Sequence, residues 1–141
     1  GVGRAALLQD YRLRFNKLSN DGSGKANVEP HVGGQVWGVV YSIPDEHLAV
    51  LDNGEGAGYR RVQIPVQIID GTTTDAWTYL ARNPSADAAL GPYVWYRLFL
   101  VEGAKEHGLP SKYIEELELI QANRDQDEQR DRIKRALCQS N

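Results

Sequence analysis

The feature that most constrains this chain is a change of hydrophobic period at Arg82: strand-like patterning before it, helical patterning after it. In residues 7–15, Tyr11, Leu13 and Phe15 alternate with Arg12 and Arg14, the period of a half-buried strand. Asn20-Asp21-Gly22-Ser23-Gly24 predicts a loop. After the Gly33-Gly34 break, residues 35–43 are almost continuously apolar, as a strand covered on both faces would be. Gly38 inside that run points to a bulge or a close backbone approach. Two further strands, 59–69 and 76–81, are joined across Asp70-Gly71, a hairpin signal, and Pro65 puts the first of them at an edge or a bulge.

Helical signals begin between these strands. Ser42-Ile43-Pro44-Asp45-Glu46 combines a capping candidate, a proline for the first turn and acids where the helix dipole favours them. It predicts a short helix to about residue 51, with Leu48 and Leu51 facing inward. Beyond Arg82, Gly91-Pro92 opens a helix that Gly108 closes and Pro110 keeps from continuing. Its middle, including Tyr96, Leu98, Phe99, Leu100 and Val101, is apolar on nearly every face and predicts burial. Ser111 is positioned to cap the next helix, whose inward stripe is Ile114, Leu117 and Ile120. Residues 123–141 read as a charged helical tail with a solvated face. Strands first and helices afterwards predict an α+β fold, and 141 residues suffice for a single domain over 1–141.

Charge and cysteine content narrow the function classes. A net charge of −3, with acids and bases interspersed, gives no reason to expect nucleic acid or an anionic membrane as partner. Cys138 is the single cysteine, so no intrachain disulfide forms and a reducing compartment follows. No apolar run approaches the ~18 residues of a membrane span, and the N-terminus lacks a signal-peptide layout. The expected location is cytoplasmic.

The candidate chemistry reduces to one carboxylate. His31, His47 and His107 are not spaced as metal ligands, and each has a local role in a loop, a capped helix or a helix end; no metal or cofactor is expected. The glycines at 22, 24, 33 and 34 open no helix and lack the Lys-Ser/Thr of a phosphate loop. No serine sits in a Gly-x-Ser-x-Gly elbow. Glu46, Glu115, Glu116 and Glu118 belong to helix faces, and Glu102 and Glu106 have Lys105 or Arg97 within pairing distance along their helix. Glu55 differs: in Leu51-Asp52-Asn53-Gly54-Glu55-Gly56-Ala57-Gly58-Tyr59 its neighbours carry little bulk, so a small substrate can reach it. Turn chemistry alone would also account for those glycines.

Three blocks add to that motif: Val36-Trp37-Gly38-Val39-Val40-Tyr41, Tyr59-Arg60-Arg61-Val62, and Gly103-Ala104-Lys105-Glu106-His107-Gly108-Leu109-Pro110. With them, from about residue 7 to 119, the chain resembles the γ-glutamylcyclotransferase (AIG2-like) family. The resemblance implies a mixed β-barrel with flanking helices and a helical C-terminal third. It also implies an activity that needs no cofactor: a loop glutamate takes a proton from the α-amine of a small γ-glutamyl substrate, and the amine attacks the γ-carbonyl to release 5-oxoproline. Glu55 matches that base, and Tyr59 and Tyr96 match tyrosines that contact the substrate. Intramolecular ring closure suits so spare a site, because orientation alone contributes on the order of 7 to 11 kcal/mol.

One departure stands beside these matches. Family members begin with a strand ending in a Tyr-Gly-Ser-Asn-type loop whose backbone amides hold the γ-glutamyl group, and Gly1-Val2-Gly3 starts after it. Two expectations follow: an N-terminally shortened form of an active enzyme, or a non-catalytic binding or scaffold module that keeps the barrel. An unpaired edge left by that strand is also a place where a second copy would pair, giving a homodimer.

Overall fold

The computed structural model describes residues 3–139. Four antiparallel strands form one sheet in the order β2-β1-β3-β4: β1 Arg4–Leu18, β2 Gly24–Val40, β3 Tyr59–Ile68 and β4 Thr73–Ala81. A 3-10 turn at Asp45–His47 leads into α1 Leu48–Glu55, and after β4 come α2 Val94–Glu106, α3 Ser111–Glu118 and α4 Glu128–Gln139. The α+β class expected from the period change at Arg82 is the class observed. No helix of the described residues is long and apolar enough to cross a membrane.

The sheet is open and wholly antiparallel among the described residues, where a mixed barrel was expected. Its two outer strands nevertheless approach: the Ala81 amide of β4 donates to Asn27 Oδ1 of β2 at 2.9 Å. A side chain thus bridges a gap that no backbone ladder closes. Asn27 is itself buried and donates to Asn16 Oδ1 at 3.0 Å, so the bridge is anchored in β1. The β1–β3 seam is short, pairing only Ala6 with Ile68 and Leu7 with Gln67. Pro65, which has no amide to give a ladder, lies beyond that seam and faces Asp75 of β4.

β1 and β2 form a long hairpin that extends well past the predicted strands. The Gly33-Gly34 break is an irregularity inside β2: the register jumps from Gln9↔Gln35 to Tyr11↔Pro30, with Asp10 at φ 65°. Residues 24–30 lack clean alternation, yet pairing with β1 makes them strand. Gly38 pairs regularly with Ala6, so the bulge expected there is absent, and the strand ends at Val40.

Adjacent residues of a strand point to opposite faces, and Ala5 and Ala6 open two cores. Ala5 packs with Val101, Ala104, Leu109, Tyr113 and Leu117, placing α2 and α3 against one face of the sheet, with Trp37, Ile114 and Ile120 at the margin. Ala6 packs with Ile64, Val66 and Ile68 on the other face, joined by Val40 of β2 and Ala76 of β4. Pro110, not Ser111, caps α3, and no side chain bonds to the cap. The tail is not merely solvated: Asp125, 1% exposed, ties α4 to α2 through Trp95 and Arg130.

Candidate active site

α1 carries the carboxylate singled out by the sequence. The helix runs to Glu55, past its expected end near residue 51, and Gly54 lies within it. Gly56 ends it at φ 78°, a conformation cheap for glycine, with its amide bonded to the Asp52 carbonyl. Glu55 therefore sits on a last helical turn and not in a free loop. Its side chain is exposed, in keeping with the small neighbours on either side. Leu48 is half-buried and Leu51 exposed, so neither forms the buried inward face predicted for this helix. The helix is held instead by a polar anchor: Tyr79 of β4 donates to Asp52 Oδ1 at 2.7 Å, and Arg61 of β3 lies 3.7 Å from Asp52 Oδ2.

Tyr59 opens β3 and Tyr96 stands in the first turn of α2, far apart in sequence but joined by the backbone of one residue of β2. The Tyr59 hydroxyl donates to the Ala26 carbonyl at 3.2 Å, and the Ala26 amide donates to the Tyr96 hydroxyl at 3.2 Å. β1 bulges opposite Ala26: Arg14 pairs with Asn27 and Lys17 with Lys25, leaving Phe15 and Asn16 against Ala26 alone. Phe15 then meets the Tyr96 ring edge-on at 6.3 Å, and the Lys25 ammonium lies 4.8 Å from the Tyr96 ring centroid. Lys17 covers the Tyr59 ring at 5.5 Å.

The electrostatics connect these tyrosines to α1. Burial pushes the Tyr59 hydroxyl up to about 12, and the nearby Tyr96 and the negative charge of Glu55 add to it. Burial also raises Tyr96, against the Ala26 amide, with Glu55 again contributing. Tyr79 is pushed up to about 12 by burial, then by its bond to Asp52, and it too feels Glu55. The charge of the carboxylate at the end of α1 is the smallest of the influences on each of these three hydroxyls, which come from three other elements.

Beside Tyr59 and Tyr79 lies a cavity of about 440 Å³, lined also by Asp52, Gly56, Arg61 and Arg82, while Glu55 and Tyr96 are not among its lining residues. Larger cavities, of about 620 and 560 Å³, lie along α2 with the C-terminal helix and between β1 and α3; none of these tyrosines or Glu55 lines them. Among the described residues, no three His, Cys, Asp or Glu side chains gather as a metal site. His107 is engaged structurally, with Tyr41 Oη 3.0 Å from Nε2 and the Gly103 carbonyl 3.0 Å from Nδ1.

Asp52, Tyr79, Arg61 and the Ala26 peptide are the site's supporting groups that sequence reasoning did not single out. Asp52 was legible in principle, one helical turn before Glu55 on the same face. The others depend on strands brought together by pairing.

Comparison with known proteins matches residues 35–117 to the AIG2-like family. The chain belongs to this family. Gamma-glutamylcyclotransferase of Mus musculus is 32% identical to this AIG2-like chain over 126 residues, covering 84% of the chain and 65% of that protein. The Homo sapiens protein of the same name gives the same figures. A solved structure named gamma-glutamyl cyclotransferase is 27% identical, with a TM-score of 0.82 over 98% of this chain and 84% of that one. The AIG2-like chain thus spans 65% of the length of the curated relatives it matches.

Proposed function

We propose that this AIG2-like protein acts as a γ-glutamyl cyclotransferase, with Glu55 as general base and Tyr59 and Tyr96 forming the substrate pocket. The observation that carries this reading is the pair of tyrosines held by the Ala26 amide and carbonyl, with the exposed Glu55 carboxylate near enough for its charge to reach both. The names of the relatives support the same reading.

In the proposed reaction the Glu55 carboxylate takes a proton from the α-amino nitrogen of a γ-glutamyl compound. The nitrogen attacks the γ-carbonyl carbon, a C–N bond forms, and the carbonyl electron pair moves to oxygen. Collapse restores the carbonyl and breaks the original γ-amide C–N bond, and the leaving nitrogen takes the proton from Glu55. The products are 5-oxoproline and a free amine or amino acid. Exposure keeps Glu55 in reach of a substrate, and the substrate's own closure over it supplies the desolvation.

The test is 5-oxoproline release from γ-glutamyl substrates by the wild type and by Glu55→Gln. The substitution keeps size and removes the base, so turnover should fall by about 10²–10⁴-fold with the unfolding midpoint preserved. Turnover that survives the substitution sinks the role of Glu55. A folded wild type that binds 5-oxoproline but releases none from any γ-glutamyl compound favours the binding module instead.

A further inference from the structure

Building on the cyclotransferase reading, we infer that the backbone of Ala26 gives the two tyrosines opposite polarity, making Tyr96 the hydrogen-bond donor to the oxyanion and Tyr59 the acceptor for the substrate amine. The argument needs only the direction of two hydrogen bonds. An amide N–H can only donate, so the Tyr96 oxygen, 3.2 Å from the Ala26 nitrogen, is the acceptor and its own proton remains available. A carbonyl can only accept, so the Tyr59 hydroxyl has committed its proton to Ala26 and keeps only lone pairs. No other protein group among the described residues hydrogen-bonds to either hydroxyl.

The reaction needs one group of each kind. When the amine attacks, negative charge gathers on the γ-carbonyl oxygen and a donor aimed there lowers the barrier. The attacking nitrogen still carries N–H bonds and needs acceptors, of which the Glu55 carboxylate is one and Tyr59 the second. Burial strengthens the assignment for Tyr96: its raised hydroxyl stays protonated through the neutral range and so remains a donor. Ala26 makes both bonds from the position in β2 that the β1 bulge at Phe15 and Asn16 faces.

The experiment measures kcat and KM for 5-oxoproline release across pH in the wild type, Glu55→Gln, Tyr96→Phe and Tyr59→Phe, with thermal unfolding as the control. Loss of an oxyanion donor predicts that Tyr96→Phe lowers kcat by about 10²-fold with KM little changed. Tyr59→Phe loses an amine contact made before as well as during attack, so its loss appears mainly in KM. 3-Fluorotyrosine at position 96 keeps the proton and should retain most of kcat, which also covers a Phe variant that fails to fold. Unchanged kcat in Tyr96→Phe, or loss of kcat in Tyr59→Phe alone, overturns the polarity while Glu55→Gln still reports on the base. A shifted acidic limb with kcat preserved in Tyr96→Phe would put that proton on Glu55 and overturn it too. A wild type with no turnover removes the cyclotransferase reading and this inference together.

Discussion

The Trp95 indole of α2 donates to Asp125 Oδ2 at 2.9 Å, and the same carboxylate receives Arg130 from the C-terminal helix through both oxygens at 2.6 Å. One buried acid therefore joins the helix that carries Tyr96 to the tail that follows it. Removing one partner of a buried pair leaves an uncompensated charge or an unpaired donor. Asp125→Ala should lower the unfolding midpoint by roughly 5–10 °C, measured by circular dichroism. A midpoint within a degree of the wild type would show that the tail contributes no stability.

The same contact sets a pH window. The Arg130 guanidinium, opposed by burial and helped by the Trp95 indole, holds Asp125 down to about 2 from the ordinary 3.8. A depressed folded pKa means stabilisation that is complete above the ordinary range and is lost as pH falls from about 4 through 2. The unfolding midpoint of the wild type should drop more steeply over that window than that of Asp125→Asn. Parallel slopes would assign the acid sensitivity to other carboxylates.

Asp52 anchors the helix that presents Glu55, through Tyr79 at 2.7 Å and Arg61 at 3.7 Å. Asp52→Ala should free the last turn of α1 and lower kcat/KM for 5-oxoproline release by about tenfold or more, since small misplacement of a base is costly. It also removes one of the causes that raise Tyr79, so that hydroxyl should titrate below about 12, nearer its ordinary value of 10.0. Spectrophotometric titration of tyrosinate gives the second readout, and an unmoved curve would contradict the observed anchor.

Gly24 opens β2 two residues before Ala26, and a Cβ there would overlap the Phe15 carbonyl oxygen, a backbone atom that cannot swing aside. Gly24→Ala should therefore push on the bulge facing Ala26 and cost about 1–3 kcal/mol in chemical denaturation. Because Ala26 holds both tyrosines, turnover should fall in protein that remains folded. Undiminished stability and turnover would show that the hairpin absorbs the overlap.

The chain alone determined the α+β class, the α2 boundaries near Gly91-Pro92 and Gly108, the β3–β4 hairpin across Asp70-Gly71, and an accessible acid at Glu55. These rest on local rules: period, turn residues and small neighbours act within a few positions. What sequence patterning left undecided needed partners distant in the chain. Residues 24–30 become strand because β1 pairs with them, Asn27 bridges the outer strands to Ala81, and Asp125 becomes a buried anchor because Trp95 meets it. The relation of Tyr59 to Tyr96 likewise depends on Ala26, whose side chain carries no chemical signal. Its backbone becomes a bridge only where the folded chain brings Tyr59 of β3 and Tyr96 of α2 to its amide and carbonyl, which no single segment encodes.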